Sequence, residues 1–163
     1  MDFLAAVGFE GTHTPAQIIL IRLFIAAGLG AVIGFERAEA GTAGLRTHIL
    51  IALAAALFTT LAFEIFHTAL EGGSRNPDPI RAIEAVTAGI AFLGAGAIFQ
   101  QRGSVQGLTT GAGMWLAGAV GVATALGYYL IAIAAALLAL LVLAAMRHFS
   151  HHVISKDNET QGD

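Results

Sequence analysis

The stretch from Gly103 to Met146, GSVQGLTTGAGMWLAGAVGVATALGYYLIAIAAALLALLVLAAM, decides the fold because its 44 residues include no charged side chain. As a single α-helix it would be about 66 Å long, twice the roughly 30 Å thickness of a bilayer's hydrocarbon core. Gly127 supplies a break near the middle, and the two tyrosines that follow it suit a membrane interface. The stretch therefore predicts two membrane-spanning helices, Leu108–Leu126 and Tyr128–Met146.

Three further apolar segments of similar length precede this stretch, and they predict helices over Ala16–Phe35, Thr47–Phe66 and Pro79–Phe99. The whole chain is 56% hydrophobic and only 12% charged, whereas soluble domains carry about 25% charged residues. The predicted fold class is all-α: a polytopic membrane protein whose residues 16–146 cross the lipid bilayer about five times. The pattern disfavours a membrane β-barrel, because the apolar runs do not alternate with polar residues.

Lysine and arginine are unequally shared between the two ends of the predicted helices, and such residues collect on the cytoplasmic side of a membrane. The richer side has Arg37, Arg46, Arg102, Arg147 and Lys156, and the poorer side has Arg75 and Arg81. The N-terminal segment, residues 1–15, contains no lysine or arginine and does not resemble a signal peptide. We therefore expect this segment outside the cell and the polar tail, residues 147–163, frayed in the cytoplasm.

A candidate internal repeat relates the two halves of the chain. The sequence GLRT at residues 44–47 recurs as GLTT at residues 107–110, and each precedes a predicted helix. The offset of 63 residues covers two helices, so the two helical hairpins would lie parallel in the membrane, as repeats in transporters do. The alternative is a chance likeness between two short turns.

Glycine is abundant, with 20 residues in the chain, and it clusters in the predicted helices. Small residues let helices approach closely within lipid. Tight helix packing is the preferred interpretation. The alternative is that Gly94 and Gly96 open the predicted helix Pro79–Phe99, so that its backbone can coordinate an ion.

The outer polar cluster is our name for Arg22, Glu64, Asp78, Arg81 and Glu84, which the predicted helices place near the outer surface. An ionisable group at the bilayer centre costs at least roughly 2.5 kcal/mol, so such groups need partners. Arg22 is predicted to pair with Glu84 or Glu64. The three carboxylates are candidate metal ligands because Mg²⁺ binds carboxylate oxygens. The alternative is an ion pair that only fixes the register of the helices.

The inner polar turns lie at the opposite ends of the predicted helices. Their polar residues are Glu36, Arg37, Arg46, Thr47, His48, Arg102, Ser104, Thr109 and Thr110. Two glycine-started helix N-termini beside arginines and threonines form a candidate site for an anion, such as phosphate or a lipid headgroup. The alternative is ordinary helix capping combined with anchoring by positive charge.

The remaining composition argues against several functions. The chain has no cysteine and no Gly-x-Ser-x-Gly or His-Glu-x-x-His motif, so we do not expect an enzyme. A net charge of −3 gives no reason to expect a nucleic-acid partner.

Three segments, in this order, resemble signature motifs of the MgtC/SapB family. They are GFER at residues 34–37 with GLRTH at 44–48, GIAFLGAGAI at 89–98, and SVQGLTT at 104–110 with Trp115. The resemblance extends from Arg22 to Leu143. It implies a bacterial inner-membrane protein linked to Mg²⁺ homeostasis, either as a Mg²⁺ transporter or as a regulator of membrane energetics.

By motif match, the resemblance implies a functional role for one set of positions. These are Arg22, Glu36, Arg37, Arg46, Thr47, His48, Asp78, Arg81, Gly94, Gly96, Thr109 and Thr110. Glu84 departs from the family pattern, in which an amide is commoner at this position. The chain also ends 17 residues after Met146, so the resemblance is to a short, SapB-like form without a soluble C-terminal domain.

Three functional hypotheses follow from the sequence. The first is an ion transporter, with Mg²⁺ as the expected ion, which would need a homodimer to enclose a path because five helices are few. The second is a non-transporting regulator that binds another membrane protein and has a closed, dry core. The third is a module that binds a lipid or an anion at the two helix N-termini.

Overall fold

The protein is described here by a computed structural model, which covers residues 11–37, 43–73, 78–101 and 104–159. These residues form five α-helices and one pair of short β-strands. In chain order the elements are α1 (Ala16–Arg37), α2 (Leu45–Glu71), α3 (Ile80–Gly96), β1 (Phe99–Gln101), β2 (Ser104–Gln106), α4 (Leu108–Ala125) and α5 (Tyr129–Glu159). The predicted all-α fold class is confirmed, with a β-hairpin that the hydropathy pattern does not reveal.

The helix ends differ from the predicted ones where the sequence is not strongly apolar. The helix α2 continues to Glu71, past the predicted end at Phe66, and α5 continues to Glu159. The expectation of a frayed tail from residue 147 is therefore wrong for the backbone of residues 147–159. Both extensions add polar residues to an apolar helix, which a search for membrane-length segments does not count.

Three described helices are long and apolar enough to cross a membrane: Ala16–Glu36, Leu45–Glu71 and Leu108–Ala125. Tyr129–Ala145 is a shorter apolar helix. The helix α3 has 17 residues and carries Arg81 and Glu84 near its start. A membrane protein is thus supported by helix length and composition, and five crossings remain a prediction.

The β-hairpin connects α3 to α4. Phe99 pairs with Gln106 and Gln101 with Ser104 in an antiparallel register. Gly107 follows with φ +85°, a left-handed conformation that favours glycine, and a Cβ there would overlap the carbonyl oxygen of Ala97. The hairpin therefore ends α3 at Gly96, before the predicted end at Phe99.

The two turns of the candidate repeat have different backbones. Leu45 and Leu108, which are 63 residues apart, are the first residues of α2 and α4. The preceding Gly44 is extended, with φ −104° and ψ −150°, whereas Gly107 is left-handed. The duplication remains a prediction, because equal helix starts alone do not show it.

The helix α4 lies at the centre of the bundle and contacts every other helix. The core around it is built from small residues: Ala52, Ala55, Ala117 and Val120 are at most 1% exposed. Glycines shorten the distance between helices further. A Cβ on Gly111 of α4 would lie 3.1 Å from the carbonyl oxygen of Gly94 in α3.

Candidate functional site

The end of α4 is closed by a glycine motif that leaves one backbone carbonyl available. Gly127 has φ +82°. The N–H groups of Gly127 and Tyr128 donate to the carbonyls of Thr124 and Ala123, at 3.0 and 2.9 Å. These two bonds form a Schellman motif, which satisfies two of the carbonyls at a helix end. The carbonyl of Ala125 remains for another donor.

Arg22 of α1 provides that donor. Its guanidinium donates to the carbonyl oxygen of Ala125 at 2.7 Å and to the hydroxyl of Tyr129 at 3.3 Å. Gly127 leaves room for the group, since a Cβ there would lie 3.0 Å from a terminal nitrogen of Arg22. Arg22 therefore joins α1 to the end of α4 and the start of α5.

The predicted pairing of Arg22 with Glu84 or Glu64 is thus wrong. A helix C-terminus carries the negative end of the helix dipole, which favours a cation there without any carboxylate. The half-buried Arg22 satisfies its charge on backbone and phenolic oxygens. This is a structural contact that holds three helices together.

Glu64, near the end of α2, fastens the chain segment that precedes α1. Its carboxylate accepts hydrogen bonds from the backbone N–H groups of His13 and Thr14, the latter at 3.0 Å. The ring of His13 stacks on His67 with centroids 4.0 Å apart, and its Nδ1 lies 3.7 Å from the carboxylate of Glu71. Glu64 therefore has backbone partners in place of the predicted arginine.

The other members of the outer polar cluster lie at the start of α3. The carboxylate of Asp78 accepts a hydrogen bond of 3.0 Å from the N–H of Ile80, one of the groups that a helix start leaves without a partner. Arg81 and Glu84 are exposed. Within the described residues, no group of three or more His, Asp or Glu side chains is placed to hold a metal ion. The structure therefore does not assemble the predicted metal set of Glu64, Asp78 and Glu84.

His48 is fully buried at the start of α2, where three helices meet. Its Nδ1 lies 2.9 Å from the carbonyl oxygen of Gly44. A Cβ on Gly34 of α1 would lie 2.9 Å from the Cβ of His48, and a Cβ on Gly113 of α4 would lie 3.0 Å from its Nε2. The two glycines thus make the space in which the imidazole sits.

The packing around His48 brings the end of α1 and the starts of α2 and α4 to one end of the bundle. The inner polar turns were predicted to lie together in this way. At this end Arg46 and Thr109 are exposed, Thr47 is half-buried, and Thr110 is buried. Glu36 is half-buried in the last turn of α1. For Arg37 only the backbone is described, and Arg102 lies outside the described residues.

A groove between α2 and α3 is the feature that the sequence analysis missed. Its volume is about 780 Å³. The lining residues are Thr47, Leu50, Ile51, Ala54, Ala55, Phe58, Ala82, Ala85, Val86, Gly89, Ile90, Leu93 and Met114. The small residues Ala85 and Gly89 on α3 were the available signal for this groove. Tight packing does not explain Gly89, because a Cβ there would meet nothing within 4 Å.

Comparison with known proteins finds several relatives of this chain. The protein named "Putative magnesium transporter YhiD" of Escherichia coli K12 is 35% identical over 143 residues, which are 87% of this chain and 66% of that protein. Protein MgtC of Salmonella typhimurium LT2 is 33% identical over 146 residues, 88% of this chain and 59% of that protein. Protein MgtC of Brucella abortus 2308 is 43% identical over 95 residues, 58% of this chain and 37% of that protein.

The chain spans about two thirds or less of the length of these relatives. No solved structure matches it. The profile of the MgtC family matches residues 23–152, which include α1 from Leu23 onward, all of α2 to α4 and most of α5. With this match and the relatives above, the chain belongs to the MgtC family.

Proposed function

We propose that this chain is a bacterial inner-membrane protein of Mg²⁺ homeostasis that acts by binding another membrane protein, and that a single copy does not conduct Mg²⁺ through its interior. The observation that carries the proposal is the direct backbone contact among α1, α2 and α4. The link to Mg²⁺ rests on the family and on the name of the E. coli relative.

The contact between these helices leaves no space for an ion. A Cβ on Gly30 of α1 would lie 2.7 Å from the carbonyl oxygen of His48 and 2.8 Å from the Cβ of Ala52. A Cβ on Gly121 of α4 would overlap the carbonyl oxygen of Ala52. At these two positions the helices are too close for even a dehydrated cation to pass between them.

The buried polar side chains of this interface are separated by an apolar middle. Among the buried residues that the structure describes, His48 and Thr110 lie toward one end, and Thr59, Thr60 and Thr124 lie toward the other. The middle consists of Ala52, Ala55, Ala117 and Val120. Mg²⁺ gives up its water reluctantly and needs oxygen ligands in return, which these side chains do not offer.

Several members of the outer polar cluster are engaged in holding helix ends. Arg22 closes α4, Glu64 holds the segment before α1, and Asp78 caps α3. These contacts support a structural role for that end of the bundle. The exposed polar groups of the inner polar turns, Arg46 and Thr109, are better placed to meet a partner.

The proposal is tested by growth in low Mg²⁺ of a bacterium whose own copy of the gene is replaced by variants. Arg46→Gln and Arg81→Gln form a matched pair, because both arginines are exposed and they lie at opposite ends of the bundle. We expect Arg46→Gln to lose growth support and Arg81→Gln to retain it, at equal protein levels. Loss with Arg81→Gln alone would contradict an inner docking surface.

Mg²⁺ transport is the second candidate, and the name of the E. coli relative favours it. Because the interior of one copy is closed by the contacts of Gly30 and Gly121, a path would have to lie between copies. This candidate therefore requires a homodimer or a larger assembly, with the path along a surface that is exposed in one copy.

A further inference from the structure

The groove between α2 and α3 has two apolar walls and an apolar floor. One wall is the ridge of Leu50, Ala54 and Phe58, which are spaced by four residues on α2. The opposite wall on α3 contains small residues, including Ala85 and Gly89. From Thr47 to Phe58 the groove is about 16 Å long, at 1.5 Å per residue.

The groove exists because α2 and α3 each pack more closely on α4 than on one another. Leu50, Phe58 and Leu93 at its rim are 63%, 59% and 53% exposed. Since α2 is long and apolar enough to span a bilayer, this rim would face lipid hydrocarbon. An apolar channel of this shape is filled by a flexible chain at little cost, because acyl chains are as apolar as leucine.

One end of the groove is cationic. Arg46 precedes Leu50 by four residues, so it continues the α2 wall by one turn. Side chains on a helix lean toward its N-terminus, which directs Arg46 away from the apolar groove and toward the membrane surface. Gly44 has no side chain with which to cap α2, and the first backbone bond of the helix comes from His48. The N–H groups before His48 therefore add to the positive potential at this end.

The opposite end of the groove differs in charge. Arg81 lies next to Ala82 there, but Asp78 lies just before α3 and Glu84 lies three residues after Arg81. Among the described residues of this end, these two carboxylates outnumber the arginine, so an anionic headgroup is better matched at the Arg46 end. The charge pattern thus gives the groove a direction.

We propose that this groove binds one acyl chain of an anionic phospholipid, whose phosphate lies at Arg46 and the start of α2. A membrane-spanning peptide helix fits this charge pattern less well, because such helices seldom carry an anionic group that Arg46 could bind. The proposal goes beyond the proposed function and does not depend on how the chain affects Mg²⁺ homeostasis.

The headgroup contact is tested by native mass spectrometry of the full chain in mild detergent. Phosphatidylglycerol and phosphatidylcholine with identical acyl chains are added in equal amounts. We expect the wild type and Arg81→Gln to prefer phosphatidylglycerol, and Arg46→Gln to lose that preference by about tenfold, the effect of one charge-assisted hydrogen bond. Equal preferences in Arg46→Gln and the wild type would overturn the headgroup assignment.

The acyl-chain contact is tested with a second matched pair on α3. Gly89→Leu fills the groove, whereas Ala88→Leu adds a larger side chain at an exposed position that does not line it. We expect Gly89→Leu to reduce binding of both lipids and Ala88→Leu to leave it unchanged, with equal melting temperatures. Equal binding by the two variants would refute the groove as the lipid site. Conversion of a wild-type dimer to a monomer by Gly89→Leu would show that the groove is an interface between copies and would also overturn the proposal.

Discussion

Replacing Arg22 with glutamine removes the contact that joins α1 to the ends of two other helices. The bond from Arg22 to the carbonyl of Ala125 is 2.7 Å long and has a charged donor, and such bonds contribute about 1.5–3 kcal/mol. The bond to the hydroxyl of Tyr129 is longer, at 3.3 Å, so Tyr129→Phe alone should cost only about 0.5 kcal/mol. We expect Arg22→Gln to lower the free energy of unfolding by about 1.5–3 kcal/mol.

A double-mutant cycle separates this account from the pairing with a carboxylate. Unfolding of the purified protein in bicelles is followed by circular dichroism for Arg22→Gln, Tyr129→Phe, Glu84→Gln and the two double variants. Arg22 and Tyr129 should show a coupling energy of about 0.5 kcal/mol or more, whereas Arg22 and Glu84 should be additive. Coupling of Arg22 to Glu84 with none to Tyr129 would refute the reasoning.

Two further predictions concern packing and the segment before α1. Gly121→Ala should destabilise the protein by about 1–3 kcal/mol, because the added methyl group meets the backbone of Ala52. The methyl group of Gly89→Ala meets nothing within 4 Å, so this variant should stabilise α3 by up to about 1 kcal/mol. Equal changes in the melting temperatures of the two variants would contradict this prediction. Glu64→Ala should speed hydrogen exchange of the His13 amide, which it binds, and Glu71→Ala should not. Unchanged exchange in Glu64→Ala would show that the contact does not hold the segment.

Much of the helical architecture could be predicted from hydropathy, because lipid demands long apolar segments. The 44 uncharged residues from Gly103 to Met146 contain α4, and the break at Gly127 lies where the structure turns toward α5. The β-hairpin was not predicted because each of its strands, Phe99–Gln101 and Ser104–Gln106, has only three residues, too few to show an alternating pattern. The link from the hairpin to α4 depends on the left-handed Gly107, and the sequence alone does not distinguish this glycine from the rest of the 20 glycines.

The candidate site was less predictable, because several partners are backbone atoms. A charged side chain suggests a partner of opposite charge, but Arg22 binds a carbonyl at a helix end and Glu64 binds two backbone N–H groups. The residue types in the sequence do not indicate that a charged side chain will bind backbone atoms. The inner polar turns were easier to predict. His48 lies one turn into α2, and its neighbours Gly34 and Gly113 belong to the glycines that the sequence assigns to close helix packing.

The groove could not be predicted from periodicity at all. It results from the packing of α2 and α3 on α4 rather than on one another, and α3 contacts α4 through Gly94 and Gly111. A hydropathy scale scores Ala85 and Gly89 in the same way whether they pack on another helix or line an open groove.

The central claim, that one copy does not conduct Mg²⁺ through its closed interior, is tested most directly by Mg²⁺ flux into proteoliposomes that enclose a Mg²⁺-sensitive dye. Protein insertion is verified by protease protection, and an ionophore supplies the positive signal. We predict flux no greater than in protein-free liposomes, for the wild type and for Glu84→Ala alike. Saturable flux in the wild type that disappears in Glu84→Ala would contradict the account and place that carboxylate on a transport path.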